Sequence, residues 1–182
     1  MKELTAGNAR FVSGKTTAHK HDLTTLRRDL AGQQAPYAAV LTCADSRVPV
    51  EIVFDQTVGH LFVTRVAGNM VTPEIIASLE YGVAVLGTKL ILVMGHSNCG
   101  AVKAAIANKA VPGQISSLYP HLRPAVDQAG SNVKAVTEAN AKVQARLLRE
   151  ASTVVAEKVK SGEVKVVAGY YDIGTGTVTI FT

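Results

Sequence analysis

The chain predicts an α/β fold: a single domain with a mostly parallel central β-sheet, flanked by helices and finished by a C-terminal antiparallel hairpin strand. Three observations carry this. Short runs of apolar and β-branched residues at 37–43, 61–66, 90–94 and 163–171 alternate with stretches whose apolar residues recur at helical spacing, the order expected of parallel strands joined by helical crossovers. The last run is followed by Asp172-Ile-Gly-Thr-Gly176 and an extended segment from Thr177 to Phe181, which reads as a turn and a returning strand. Two of the runs, 37–43 and 90–94, end on residues able to do chemistry, and ligand sites in such sheets lie at the carboxyl ends of strands.

Residues 1–14 carry Leu4, Phe11 and Val12 among polar residues and predict a short helix ending near Gly14. Residues 15–22 are polar and loop-like. His19 and His21 within them read as solvated side chains, because no third metal ligand is nearby. A helix over 23–31 closes an N-terminal helical arm (1–32) of the one domain, 1–182. Gln33-Gln34-Ala35-Pro36 turns the chain into the strand at 37–43, and Pro49 suits the start of a helical turn. After the strand at 61–66, Ala67-Gly68-Asn69 is a backbone turn. Thr72-Pro73-Glu74 predicts a capped helix start. That helix should run to Leu86, with Ile75, Ile76, Leu79, Val83 and Leu86 inward and Gly87 closing it. A helix over Ala101–Ala107 follows the strand at 90–94. Residues 109–132, with Pro112, Pro120 and Pro124, read as short helical pieces and turns. From Val133 to Lys160 the apolar spacing predicts one helix of about seven turns, ended by Gly162.

The 182 residues suffice for one substantial core. Hydrophobic residues make up 47%, on the apolar side for a globular chain, which hints at surface covered by a partner subunit. No run approaches the roughly 18 unbroken apolar residues of a membrane span. The formal charge is +5, but Lys and Arg are scattered and not interleaved with aromatic residues, so no nucleic acid and no membrane partner is expected. Two cysteines make no disulfide framework. The start, Met1-Lys-Glu-Leu-Thr-Ala-Gly7, has no apolar signal segment, so a cytoplasmic location is expected; a secreted chain whose leader had been removed would read the same way.

Each of the two cysteines closes one of the apolar runs. Cys43-Ala-Asp45-Ser-Arg47 follows the first, and Gly95-His96-Ser-Asn-Cys99-Gly100 follows the run at 90–94. Two thiolates and an imidazole make a Cys2His set, which leaves the fourth tetrahedral position of a catalytic zinc open. His96 and Cys99 reach one ion from a single tight loop. Cys43 joins them if the two strands are neighbours, about 4.8 Å apart. Asp45, two residues from a ligand, can either bind the metal or accept a hydrogen bond from a zinc-bound hydroxide. Arg47 can hold it off the metal with two parallel hydrogen bonds.

Cys43-x-Asp45-x-Arg47 followed by His96-x-x-Cys99-Gly100 resembles the signature of the β-class carbonic anhydrases. The similarity covers nearly the whole chain, including Gly7-Asn8-Ala9-Arg10-Phe11, Arg65-Val66-Ala67-Gly68-Asn69, Glu80-Tyr81 and Leu86-Gly87. The resemblance implies reversible hydration of carbon dioxide to bicarbonate and a proton, by zinc-bound hydroxide oriented by an Asp-Arg dyad. Cys43, His96 and Cys99 match ligands for one zinc ion per chain, and Asp45 with Arg47 matches the catalytic dyad. Gln34 matches a residue that hydrogen-bonds substrate, Phe62 and Tyr81 match pocket aromatics, and Ala67 takes a small apolar position. The Gly100 amide is matched to anion binding. The likeness also implies a homodimer or a dimer of dimers, with some pocket residues supplied by the partner subunit.

The chain departs from the family pattern at Val58, His60 and Val66, which bear on a loop near the pocket. Val40 stands where some members carry a tryptophan of a second, inhibitory bicarbonate site, so no such site is expected. His60 and His121 are candidates to carry protons only because they are histidines, and each reads as incidental. Two other functions use the same ligands: a hydrolase of carbon disulfide or carbonyl sulfide, and a non-catalytic zinc-stabilised module. Asp45, Arg47 and Gln34 argue against the module, which has no need of an open coordination position.

Overall fold

The structure, a computed structural model, describes residues 1–19, 24 and 26–181. The first strand is β1 (Ala38–Thr42), every residue of which is buried. β2 (Leu61–Arg65) and β3 (Leu90–His96) flank it in parallel. β4 (Lys165–Tyr171) joins β3 in parallel, and β5 (Val178–Phe181) closes the sheet antiparallel to β4. The order is β2-β1-β3-β4-β5, the mostly parallel sheet with a terminal hairpin that the alternating runs predict. Thr42 stands opposite Met94, so Cys43 leaves β1 level with the last residues of β3.

The helices are α1 (Lys2–Val12), α2 (Val50–Val53), α3 (Pro73–Ala84), α4 (Gly100–Ala107), α5 (Tyr119–Ala129), α6 (Val133–Ala151) and α7 (Thr153–Lys160). Successive strand side chains point to opposite faces, and two cores result. Ala39, Leu41, Ile91 and Val93 pack with Ile75, Leu79 and Val83 of α3 and Ala141, Ala145 and Leu148 of α6. Ala38, Val40, Leu92 and Met94 pack with Leu4 of α1 and with Val50, Val53 and Phe54. Among the described residues no helix is long and apolar enough to cross a membrane.

Several boundaries differ from the expectation. The 133–160 stretch is two helices, broken at Ser152, whose backbone is extended; its Oγ accepts from the Val155 amide at 3.0 Å and donates to Glu80 Oε1 at 2.6 Å. Apolar spacing is blind to a one-residue break that a capping hydroxyl stabilises. Residues 119–129 form a single helix, α5, because Pro120 falls in the first turn where its missing N–H is no loss; the helix then continues through Pro124. Within the predicted helix 23–31 the described residues include one short π-turn, Leu26–Leu30. Thr72 makes no capping bond to α3 and donates instead to Glu74 Oε2 at 2.9 Å. Leu86 lies beyond the end of α3 and is half-buried.

The N-terminal arm is held by one buried carboxylate. Asp55 accepts from Arg10 Nε at 2.5 Å, from the Thr17 amide at 2.9 Å and from the Thr17 hydroxyl at 2.8 Å. His19 is therefore more than a solvated loop residue: its Nε2 lies 3.1 Å from the Asp55 carbonyl, while His21 lies outside the described residues. Burial raises the Asp55 carboxyl's pKa, but the bonds from Arg10 and Thr17 outweigh it and leave the group below the usual carboxylate range. A folded-state value below the unfolded one, about 3.9, contributes stability above that pH and loses it as pH falls through the folded value. Urea midpoints measured between about pH 6 and pH 3 should fall more steeply for the parent than for Asp55→Asn. Parallel curves would remove Asp55 from the acid transition.

Candidate metal centre

Each of the three expected metal-binding side chains is placed by a different backbone device. Cys43 follows the last residue of β1, and His96 is the last residue of β3. Asn98, at φ 58, reverses the chain, and Cys99 becomes the residue immediately before α4. Gly95 lets α6 lie against this strand end, since a Cβ there would stand 2.7 Å from Thr137 Cγ2. The two sulfurs and the imidazole lie within 4.8 Å of one another, and all three side chains are buried. The two cysteines sit in an apolar cluster with Val102, Ala125, Val136 and Ala139, drawn from α4, α5 and α6.

This donor set fits a tetrahedral metal. The sulfurs are 4.0 Å apart, against about 3.8 Å for two zinc–sulfur bonds of about 2.3 Å at the tetrahedral angle. His96 Nδ1 lies 3.0 Å from the Ser97 carbonyl, which as a donor bond fixes the tautomer that leaves Nε2 with a free lone pair. That Nε2 is buried and has no hydrogen-bond partner among the described residues, which leaves its lone pair available to an ion. The Gly68 amide donates to Cys43 Sγ at 3.3 Å. Between the two thiols, the bond from Cys99 holds Cys43 well below the ordinary thiol range. The same contact, with burial, pushes Cys99 up. A bound cation deprotonates both.

Asp45 and Arg47 stand at the mouth of this cluster. Arg47 donates from Nε to Asp45 Oδ1 at 2.9 Å and from Nη2 to Oδ2 at 2.8 Å, and its amide adds a third bond to Oδ1 at 2.9 Å. These bonds hold the Asp45 carboxyl far below the usual carboxylate range. Asp45 Oδ2 still lies only 3.8 Å from His96 Nε2. The loop itself is gripped by Arg65 at the end of β2, which donates to the carbonyls of Cys43 and Asp45. Sequence reading named Arg65 only within a motif; its place at a strand end beside the Ala67-Gly68-Asn69 turn was the available signal.

The other expected pocket residues divide into two groups. Ala67 opens the turn whose next residue bonds Cys43, and Gly100 begins α4 directly after Cys99. Gln34 and Tyr81 instead line a separate cavity of about 1170 Å³ with Leu26, Leu30, Ile52 and Leu86. Phe62 packs on Tyr81 with ring centroids 6.3 Å apart. Gln34 precedes the amino end of β1, whose five residues span about 16 Å, so within one chain it is far from Cys43.

The sequence from residue 38 to 178 matches the family model described as carbonic anhydrase. Over 96% of this chain and 88% of the relative, it is 34% identical to the Mycobacterium tuberculosis protein named carbonic anhydrase 2. The β-carbonic anhydrase of Coccomyxa, solved with acetazolamide, is 31% identical and superposes with a TM-score of 0.73 over 86% of this chain and 77% of that one. The chain belongs to the β-class carbonic anhydrases. The fold is also shared with a β-carbonic anhydrase of Sordaria macrospora, one of two described as tetrameric, at a TM-score of 0.80, with 24% identity, 97% of this chain and 93% of that one. In this β-class chain the Cys-His-Cys group is the set of metal-capable side chains found among the described residues.

Proposed function

We propose that this β-class chain hydrates carbon dioxide reversibly to bicarbonate and a proton, as one domain over residues 1–182 with one zinc ion held by Cys43, His96 and Cys99. The observation that carries the reading is the Asp45 carboxylate, clamped by Arg47 and poised 3.8 Å from the unpaired His96 nitrogen. When bound, zinc supplies a Lewis acid that makes water nucleophilic near neutral pH. Asp45, kept ionised by Arg47, would accept a hydrogen bond from that water and orient it. Because both carboxylate oxygens are engaged by the guanidinium, Asp45 is held off the ligand position. The Gly100 amide, at the start of α4, offers a donor to bicarbonate.

Gln34, Phe62 and Tyr81 enter the pocket in this reading from a second copy of the chain. Support comes from the cavity that Gln34 and Tyr81 border: Ile52, which also lines it, is 59% exposed and Tyr81 47%, an apolar surface suited to burial against a partner. A homodimer, or a dimer of dimers, then completes each site. Two thiols that must stay reduced to bind metal favour a cytoplasmic location.

Asp45→Asn and Arg47→Ala test the assignment. Zinc content should stay at one per chain, while stopped-flow carbon dioxide hydration falls about 10²- to 10⁴-fold, the usual worth of a positioned proton-handling group. Either variant keeping the full rate with zinc bound would remove the dyad from the mechanism.

A further inference from the structure

We propose that Asn140 of α6 is a positioning residue for the metal ligand Cys43, acting through the Gly68 peptide; the inference rests on the metal reading above. Gly68 is held from both sides. Its amide donates to Cys43 Sγ at 3.3 Å, and its carbonyl accepts from Asn140 Nδ2 at 2.8 Å. The peptide has little alternative seat: Gly68 has φ 75, and a Cβ there would meet the Leu122 methyls at 3.2 and 3.3 Å.

Asn140 is itself fixed. Gln144, one turn along α6, donates from Nε2 to Asn140 Oδ1 at 3.1 Å and to the His121 carbonyl at 3.0 Å. Gln144 Oε1 accepts from the Val71 amide at 2.8 Å. The turn that carries Gly68 is thus tied to α6 at two points, Gly68 and Val71. Asn140 and Gln144 are 0% and 1% exposed.

Two buried amides are costly unless satisfied, and apolar residues would serve packing better. The same helix does supply Ala141, Ala145 and Leu148 to the core. What the amides do that aliphatic side chains could not is hold the Gly68 peptide in one orientation. An N–H aimed at a thiolate draws charge from the sulfur and sets the direction of its remaining lone pairs, so it bears on metal affinity and on the ligand field. Asn140 touches neither metal nor substrate and works entirely through that peptide.

The test uses cobalt(II) in place of zinc, because thiolate-to-cobalt charge-transfer bands report on the sulfur itself. The parent should bind one equivalent with such bands. Their absence would overturn the ligand assignment, and the proposal with it, before Asn140 is examined. Asn140→Leu should shift the bands and weaken zinc affinity about 10- to 100-fold in competition with a chromophoric chelator. Asn8→Ala is the control for mere destabilisation. It removes three hydrogen bonds, to Val53, Gly176 and Val178, at α1 on the other face of the sheet. It should lower the melting temperature and leave the bands in place. The proposal is overturned if the bands and zinc affinity of Asn140→Leu superimpose on the parent, or if Asn8→Ala moves them equally. Should Asn140→Leu not fold, Asn140→Ala removes the donor without adding bulk and is read in the same way.

Discussion

Replacing Cys99 with serine is expected to abolish metal binding and carbon dioxide hydration together. A serine hydroxyl does not ionise in a protein interior, and an alcohol is a far poorer ligand than a thiolate for zinc. Cys99 is 1% exposed, in a cluster with Val102 and Ala125, so the new hydroxyl is also stranded among apolar side chains. Metal that binds only the folded chain stabilises it by about 4 kcal/mol at a free concentration a thousand times the dissociation constant. For a chain of this size its loss corresponds to a fall of roughly 10 °C in melting temperature. Elemental analysis should show zinc dropping from one per chain to near none. Chelator should lower the melting point of the parent and leave the variant unmoved. Full zinc occupancy in Cys99→Ser would dismiss this sulfur as a ligand.

Gly7→Ala is expected to be the most damaging small substitution outside the metal centre. A Cβ at Gly7 would stand 1.8 Å from the Phe54 carbonyl oxygen and 2.8 Å from its carbon. Both are backbone atoms that no rotamer change can move aside. Alanine is favoured over glycine within a helix by about 0.5–1 kcal/mol, whereas overpacking costs about 1–3 kcal/mol and more when backbone must shift. The second effect wins, and α1 must lift. Lifting α1 also strains the links it carries: Arg10 to Asp55, and Asn8 to the carbonyls of Val53 and Gly176. Urea unfolding should therefore show a net loss of about 2 kcal/mol or more. Equal midpoints for parent and variant would mean that α1 does not rest on Phe54.

The metal-capable group was legible because its signal is chemical and local: two cysteines, each at the end of an apolar run, with His96 in one tight loop with Cys99. Arg47's grip on Asp45 followed from adjacency, since the two residues share one tight turn, closed by the Val48 amide on the Asp45 carbonyl at 3.1 Å. The break at Ser152 and the unity of α5 were not legible. Each depends on a single side chain finding a partner far along the sequence or on where a proline falls in a turn, and periodicity records neither. Asn140 gave no sign at all, because the carbonyl it serves belongs to residue 68.

By itself the sequence determined the fold class, the identity of the metal-capable side chains and the pairing of a carboxylate with a guanidinium beside them. These follow from side-chain chemistry and from order along the chain. Only the tertiary structure decided that β1 and β3 lie side by side in the register that unites Cys43 with His96, that Arg65 and α6 brace the loops from behind, and that Gln34 sits at the far end of β1. Such facts depend on contacts between residues distant in sequence, and neighbouring residues carry no record of them.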